Sequence, residues 1–222
     1  MKLPQHEIEL FYKLWYSLIW SINQKHKIVP CFDKPEYGDD VNEEPFIVIR
    51  EKLWENPQWI DEYLHENEND RLPQAEREIL LDWRNNHVKG RFFIIKHLAK
   101  YSVFTPGDDS KKLYGVHGIS NPINETVRYE IPFIAETVLL PFKGKIIYDS
   151  FISTFGVSLG KNIRDELNRY FKTVKEEIGI IESIGKPPAS VKPPTKKPKP
   201  QKDATDAVEA KTSKITRSMS AR

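Results

Sequence analysis

The residues that could do chemistry together are His97, His117 and Asp149. His97 falls in RFFIIKHL, His117 in KLYGVHGI, and Asp149 closes GKIIYD. Were these segments neighbouring strands with both imidazoles on one face, the three side chains would make a small acid–base or metal-binding cluster, the mark of an enzyme of unrecognised type. Register decides the matter, because a slip of one residue sends a side chain to the opposite face. Two ordinary sheet histidines are the plainer reading, and it is favoured. No two histidines lie three or four apart and HExxH is absent, so no metal or cofactor is expected.

Other reactive residue types stand in weaker contexts. Cys31, the single cysteine, sits between Pro30 and Phe32 and reads as a small buried apolar residue. Ser150 and Ser153 belong to no GxSxG and read as partners of local backbone. Gly156 and Gly160 in FGVSLGKNIRDEL precede a helix whose first amides, with Lys161, could meet an anion. Their spacing fits neither GxxxxGK[ST] nor GxGxxG, which favours a flexible connection. The pairs Glu76 with Glu78 and Asp108 with Asp109 read as solvated faces and turns. Catalysis is therefore not expected.

Basic and aromatic residues interleave in the middle of the chain. Lys89, Arg91, Lys96 and Lys100 alternate with Phe92, Phe93 and Tyr101, and Lys111, Lys112, Tyr114, Lys143 and Lys145 lie on neighbouring segments. Small barrels bind single strands by stacking bases on aromatics while cations follow the phosphates. On that reading the binding set is Lys89, Arg91, Lys96, Tyr101, Tyr114, Lys143 and Lys145. Against it, FFII at 92–95 is apolar at four consecutive positions, the mark of a strand buried on both faces.

Positioning these residues falls to two kinds of element. Ile8, Phe11, Trp15, Leu18 and Ile22 advance by three and four, one face of a helix. Leu10, Tyr12, Leu14, Ile19 and Trp20 widen that face until the helix must be buried on several sides or used for self-association. Phe46, Ile49 and Leu53 predict a second helix. Asn56-Pro57 predicts the start of a third, with Asn56 as cap, and Pro73 opens a fourth. The period then changes. Residues 91–98, 101–105, 112–119, 132–140 and 144–149 are short and rich in β-branched and aromatic residues, with turns at 106–110 and 120–125. Lys143-Gly144 reads as a hairpin tip. Ile163, Leu167, Tyr170, Phe171, Val174 and Ile178 predict a last helix.

The expected fold is α+β: N-terminal helices, 1–86, pack on a small SH3-like β-barrel or curled antiparallel sheet within 87–185. A C-terminal helix covers an open side, and the two parts share one core. Beyond Gly185 the composition changes. Residues 186–222 hold ten Lys and Arg against three Asp and Glu, so the near-neutral whole is an acidic globule with a basic tail. That Pro/Lys-rich tail is expected to be disordered and to attract nucleic acid without reading sequence. The start lacks a signal-peptide layout and no segment suits a bilayer, which points to the cytoplasm.

VLLPFKGKIIYDS, preceded by KHLAKYSVF and KLYGVHGIS, resembles segments of an uncharacterised bacterial protein family with an N-terminal helical part and a PFKGKIIYD-like element. The resemblance covers roughly residues 45–184, implies no activity and carries over no functional residue. The function expected is that of a non-catalytic binding or regulatory protein whose β-module meets a macromolecule.

Overall fold

The computed structural model describes residues 1–36, 38, 42–67, 72–108 and 110–185. The disorder expected of residues 186–222 lies outside the described residues.

Four helices precede the strands: α1 (Gln5–His26), α2 (Glu43–Glu55), α3 (Trp59–Glu66) and α4 (Gln74–Asn86). In α1 the apolar stripe Ile8, Phe11, Leu14, Trp15, Leu18, Ile19 and Ile22 is fully buried, whereas Trp20 stays 36% exposed. The helix stops where Lys27 turns left-handed at φ 50°. Asn23 then clamps the following loop, its side chain donating to the Val29 carbonyl at 3.0 Å and accepting from the Val29 amide at 2.9 Å. The Asn42 side chain caps α2. Asn56 departs from expectation: its side chain donates back to the Lys52 carbonyl at 3.0 Å and so serves the end of α2. Pro57 and Gln58 form a turn before α3.

The strands are β1 (Val88–His97), β2 (Ser102–Pro106), β3 (Tyr114–Val116), β4 (Phe133–Phe142), β5 (Lys145–Tyr148) and β6 (Ser153–Thr154). The sequence 120–125, read as a turn, ends in a one-turn helix, α5 (Ile123–Thr126). The expected small barrel is present: the order β1-β2-β3-β5-β4 closes through a β1–β4 pairing, and β6 adds a short outer strand to β4. Four seams are antiparallel, while β3 and β5 run parallel at Val116 and Ile146. The long β3–β4 connection carrying α5 makes that parallel seam possible, because a tight turn cannot join parallel strands.

Register sorts the side chains. Phe92, Ile94, Phe104 and Tyr114 fill the barrel, with the Phe92 ring 6.0 Å from Phe104 and 6.3 Å from Tyr114. On the outside of β4 and β5, Phe142 meets Phe11 at 6.0 Å and Trp83 at 6.5 Å. The helical layer and the barrel thus share one apolar cluster. The outer face of β1, β2 and β3 is covered instead by α6 (Lys161–Glu177). Val174, Leu167, Tyr170 and Phe171 pack there on Ile95, Tyr101, Val103, Leu113 and Phe93.

Three indoles fix the helices to the β4–β5 ribbon. Trp83 of α4 donates to the Pro141 carbonyl at 2.9 Å, Trp15 of α1 to the Ser150 hydroxyl at 3.1 Å, and Trp54 of α2 to the Asp149 carboxylate at 2.7 Å. Arg50 of α2 grips the same carboxylate with Nε at 2.6 Å and Nη2 at 3.0 Å. Asp149 has no exposure to water. Burial pushes its carboxyl up, opposed by Arg50 and Trp54, which stabilise the anion.

Asp149→Ala should therefore lower stability by about 3–5 kcal/mol, because Arg50 is left charged and unpaired in the interior. The double variant Arg50→Met/Asp149→Leu, which removes both charges, should cost less than the single one. Urea unfolding of the three proteins checks this. A single variant no less stable than the double would contradict it.

Candidate functional site

Both broad faces of the barrel are covered by helices, so the candidate site lies at one of its ends. Two connections flank His117, one through Tyr101 and the other through Ile146. The β1–β2 turn is closed by the Leu98 amide on the Tyr101 carbonyl at 2.8 Å, with Leu98, Ala99 and Lys100 exposed. The β4–β5 hairpin turns on Lys143 at φ 48° and Gly144 at φ 76°. Two successive left-handed residues match the twist of the flanking strands, and Gly144 takes that conformation without strain.

His117, just past β3, joins the two connections. Its amide donates to the Ile146 carbonyl of β5 at 2.8 Å, and its ring lies edge-on to Tyr101 at 5.8 Å. Tyr101 can lie there because residue 115 is glycine: a Cβ on Gly115 would come within 3.0 Å of the Tyr101 ring. The Tyr101 hydroxyl donates to Glu182 at 2.9 Å, and burial with that acid pushes the phenol up to about 12. The first residues join the same end, where Lys2 bridges to Gly118 and the Leu3 amide donates to the Ile119 carbonyl at 3.1 Å.

The lysines here are unequally held. Lys145 pairs with Glu7 at 2.8 Å, Lys100 reaches Glu182 only at 3.7 Å, and Lys143 is exposed at the hairpin tip. His117 is held below the ordinary imidazole range, first by burial and then by Lys145, while Glu182 opposes this and Lys100 adds to it.

The anticipated binding residues are divided by this geometry. Lys143, Lys145 and Tyr101 belong to the barrel end. Lys89 and Arg91 lie at the other end of β1; from Lys89 to Lys96 is about 24 Å of extended chain. Arg91 pairs with Glu136 at 3.2 Å and lies 5.0 Å from the Phe155 ring, and Lys89 is exposed beside Glu55. Lys96 is half-buried, placed opposite Val103 by a register shift in β1. Tyr101 and Tyr114 are only 8% and 4% exposed, so neither ring offers a face on which a base could stack. Their burial corrects the expectation of an aromatic platform. Tyr114 points into the barrel, and Tyr101 lies beneath the segment that follows α6.

His97, His117 and Asp149 do not converge. His97 aligns with Ser102, which aligns with Val116, so His117, one residue on, faces the other side of the barrel wall. The His97 Nδ1 meets the Ser102 hydroxyl at 2.7 Å, and Asp149 is taken by Arg50 and Trp54. Among the described residues no group of three or more His, Cys, Asp or Glu is placed to hold a metal ion. Cys31, expected to be buried, is exposed at φ 53° in the loop after α1. Ser150 partners Trp15, far away in sequence, instead of local backbone. His117 was anticipated only beside His97 and Asp149, Lys100 only among the interleaved cations and Lys2 not at all, because their neighbourhood depends on pairings between distant segments.

The circuit β1-β2-β3-β5-β4-β1 with β3 and β5 parallel is the connectivity of five-stranded Greek-key barrels of the OB type. No family model, curated protein or solved structure matches this chain. Among the described residues no helix is long and apolar enough to cross a membrane.

Burial lowers both His97 and His117 below the ordinary value. Unfolded, they bind protons near about pH 6.5, so the unfolded chain takes up more protons below that pH. Their contribution to stability is complete above that value and is lost as pH falls toward the folded-state values. The urea midpoint should be lower at pH 5.5 than at pH 7.5, and His97→Gln/His117→Gln should flatten the slope. A slope unchanged in the double variant would show that other groups set it.

Proposed function

We propose that this chain is a non-catalytic nucleic-acid-binding protein that holds the phosphate backbone at the barrel end formed by the β1–β2 turn and the β4–β5 hairpin. The observation that supports this reading is the approach of Lys100 and Lys145 to His117, with Lys143 exposed at the tip of the hairpin that carries Lys145. The OB-type circuit favours the same end of the barrel, as an analogy of fold. With Tyr101 and Tyr114 buried and α6 over the strand 2–3 face, backbone charge is read and base identity is not. The lysines of residues 186–222 add sequence-independent attraction, since each phosphate neutralised releases counterions. A cytoplasmic location fits this partner and the exposed free thiol of Cys31.

Fluorescence anisotropy of the full chain with labelled ten-nucleotide single strands of differing sequence provides the test. Affinity should be similar across sequences, fall about tenfold or more between 50 and 200 mM salt, and fall again in Lys100→Glu/Lys143→Glu. Absence of binding at 50 mM salt, or full affinity in the double variant, would remove the reading.

A further inference from the structure

We infer that the outer face of β1, β2 and β3 is a second contact surface for single-stranded nucleic acid, and that α6 with residues 178–185 is its displaceable cover. The inference rests on the nucleic-acid reading above and goes beyond it, since the barrel end is open in the free protein while this face is closed.

The chemistry of the face supplies the first argument. Phe93, Ile95, Tyr101, Val103 and Leu113 lie beneath α6. Lys96 stands opposite Val103, and Lys100 and Lys112 precede Tyr101 and Leu113 in the chain. Aromatic rings flanked by cations suit a single strand, whose bases stack while its phosphates are neutralised. The cover copies that ligand. Tyr170 and Phe171 pack on the apolar residues, while Glu177 and Glu182 bring carboxylates to Lys111 at 3.4 Å and to Lys100 at 3.7 Å. Lifting the cover takes both acids away and leaves these lysines to the ligand. Asp108, beside Lys112, stays behind.

The hold of the cover supplies the second. Within α6 only Val174 is fully buried. The partners in both ion pairs are more than half exposed, so these contacts contribute little and exchange readily for phosphates. Tyr170 donates to the Ser110 carbonyl at 3.0 Å, and Tyr101 to Glu182 at 2.9 Å. Beyond the helix, Ile181 and Ile184 are half-buried, and Ile181 makes the two main-chain bonds to Leu113 and Gly115. The start of α6 is fastened separately: Arg164 donates to the Leu159 carbonyl at 2.8 Å and meets Glu130 at 3.0 Å. That end is the pivot, and the end carrying Glu177 and Glu182 lifts. The chain runs on from the cover into residues 186–222, whose ten Lys and Arg attract the same ligand.

Hydrogen–deuterium exchange of the full-length protein, alone and saturated with a single strand of ten thymidines at 50 mM salt, tests this. With the strand, exchange across residues 161–185 should quicken by about tenfold or more, while α1 keeps its protection. Val174→Glu, which weakens the cover, should bind the strand about tenfold more tightly, because the binding-competent state is more populated. Glu177→Gln/Glu182→Gln, at exposed positions, should also bind more tightly with the fold intact. Strand binding with residues 161–185 as protected as in the free protein, or an affinity raised in neither variant, overturns the inference and leaves the nucleic-acid reading standing. Should the wild-type chain fail to bind, that reading of the barrel end fails, and the two variants decide the covered face: binding by either upholds it, and binding by neither overturns it.

Discussion

Three indole N–H groups and one guanidinium reach from the helices into the β4–β5 ribbon, and the charge among them is Asp149. Apolar burial drives the helices onto the barrel but is non-directional. Phe11, Trp15, Trp83 and Phe142 could share contact in more than one arrangement. Hydrogen bonds have direction, and these bind α1, α2 and α4 to Ser150, Asp149 and Pro141 of one ribbon. A buried carboxylate is unfavourable by itself and tolerable only when its oxygens are filled. Arg50 and Trp54 fill them, with Thr137 at 3.5 Å from Oδ1. An arrangement that misplaces α2 leaves both charges unpaired away from water, and this penalty selects the native docking.

That docking decides which parts of the barrel stay available. With α1 and α4 on the outside of β4 and β5, and α6 on the outside of β1 to β3, neither broad face is open to a ligand. α6 lies lightly on its side: among its seventeen residues only Val174 is fully buried, with Leu167, Tyr170 and Phe171 half-covered. Its cover is nevertheless extended by the next residues, since the Ile181 amide donates to Leu113 at 2.7 Å and Gly115 donates back to Ile181 at 2.9 Å. Glu182 is thereby brought to Tyr101 and Lys100. The segment that closes the face thus also supplies an acid to the barrel end.

Much of the architecture was legible in local pattern. The three-and-four spacing in α1 and α6 is intrinsic to a helix with one buried side, and short β-branched runs marked five barrel strands. FFII at 92–95 was informative too: Phe92 and Ile94 fill the barrel, while Phe93 and Ile95 lie beneath α6. At the candidate site the hairpin lysines and the cations of the β1–β2 region could be read. Their division between opposite ends of β1 could not.

The sequence by itself determined the α+β division, the small barrel and the hairpin at Lys143-Gly144, because periodicity and backbone preference act over a few residues. Only the tertiary structure decided that His97 and His117 face apart, that Tyr101 and Tyr114 turn inward, and that Ser150 answers Trp15. Each of these depends on register or on contact between segments distant in the chain. One residue of register reverses a side chain's direction while leaving its local pattern unchanged.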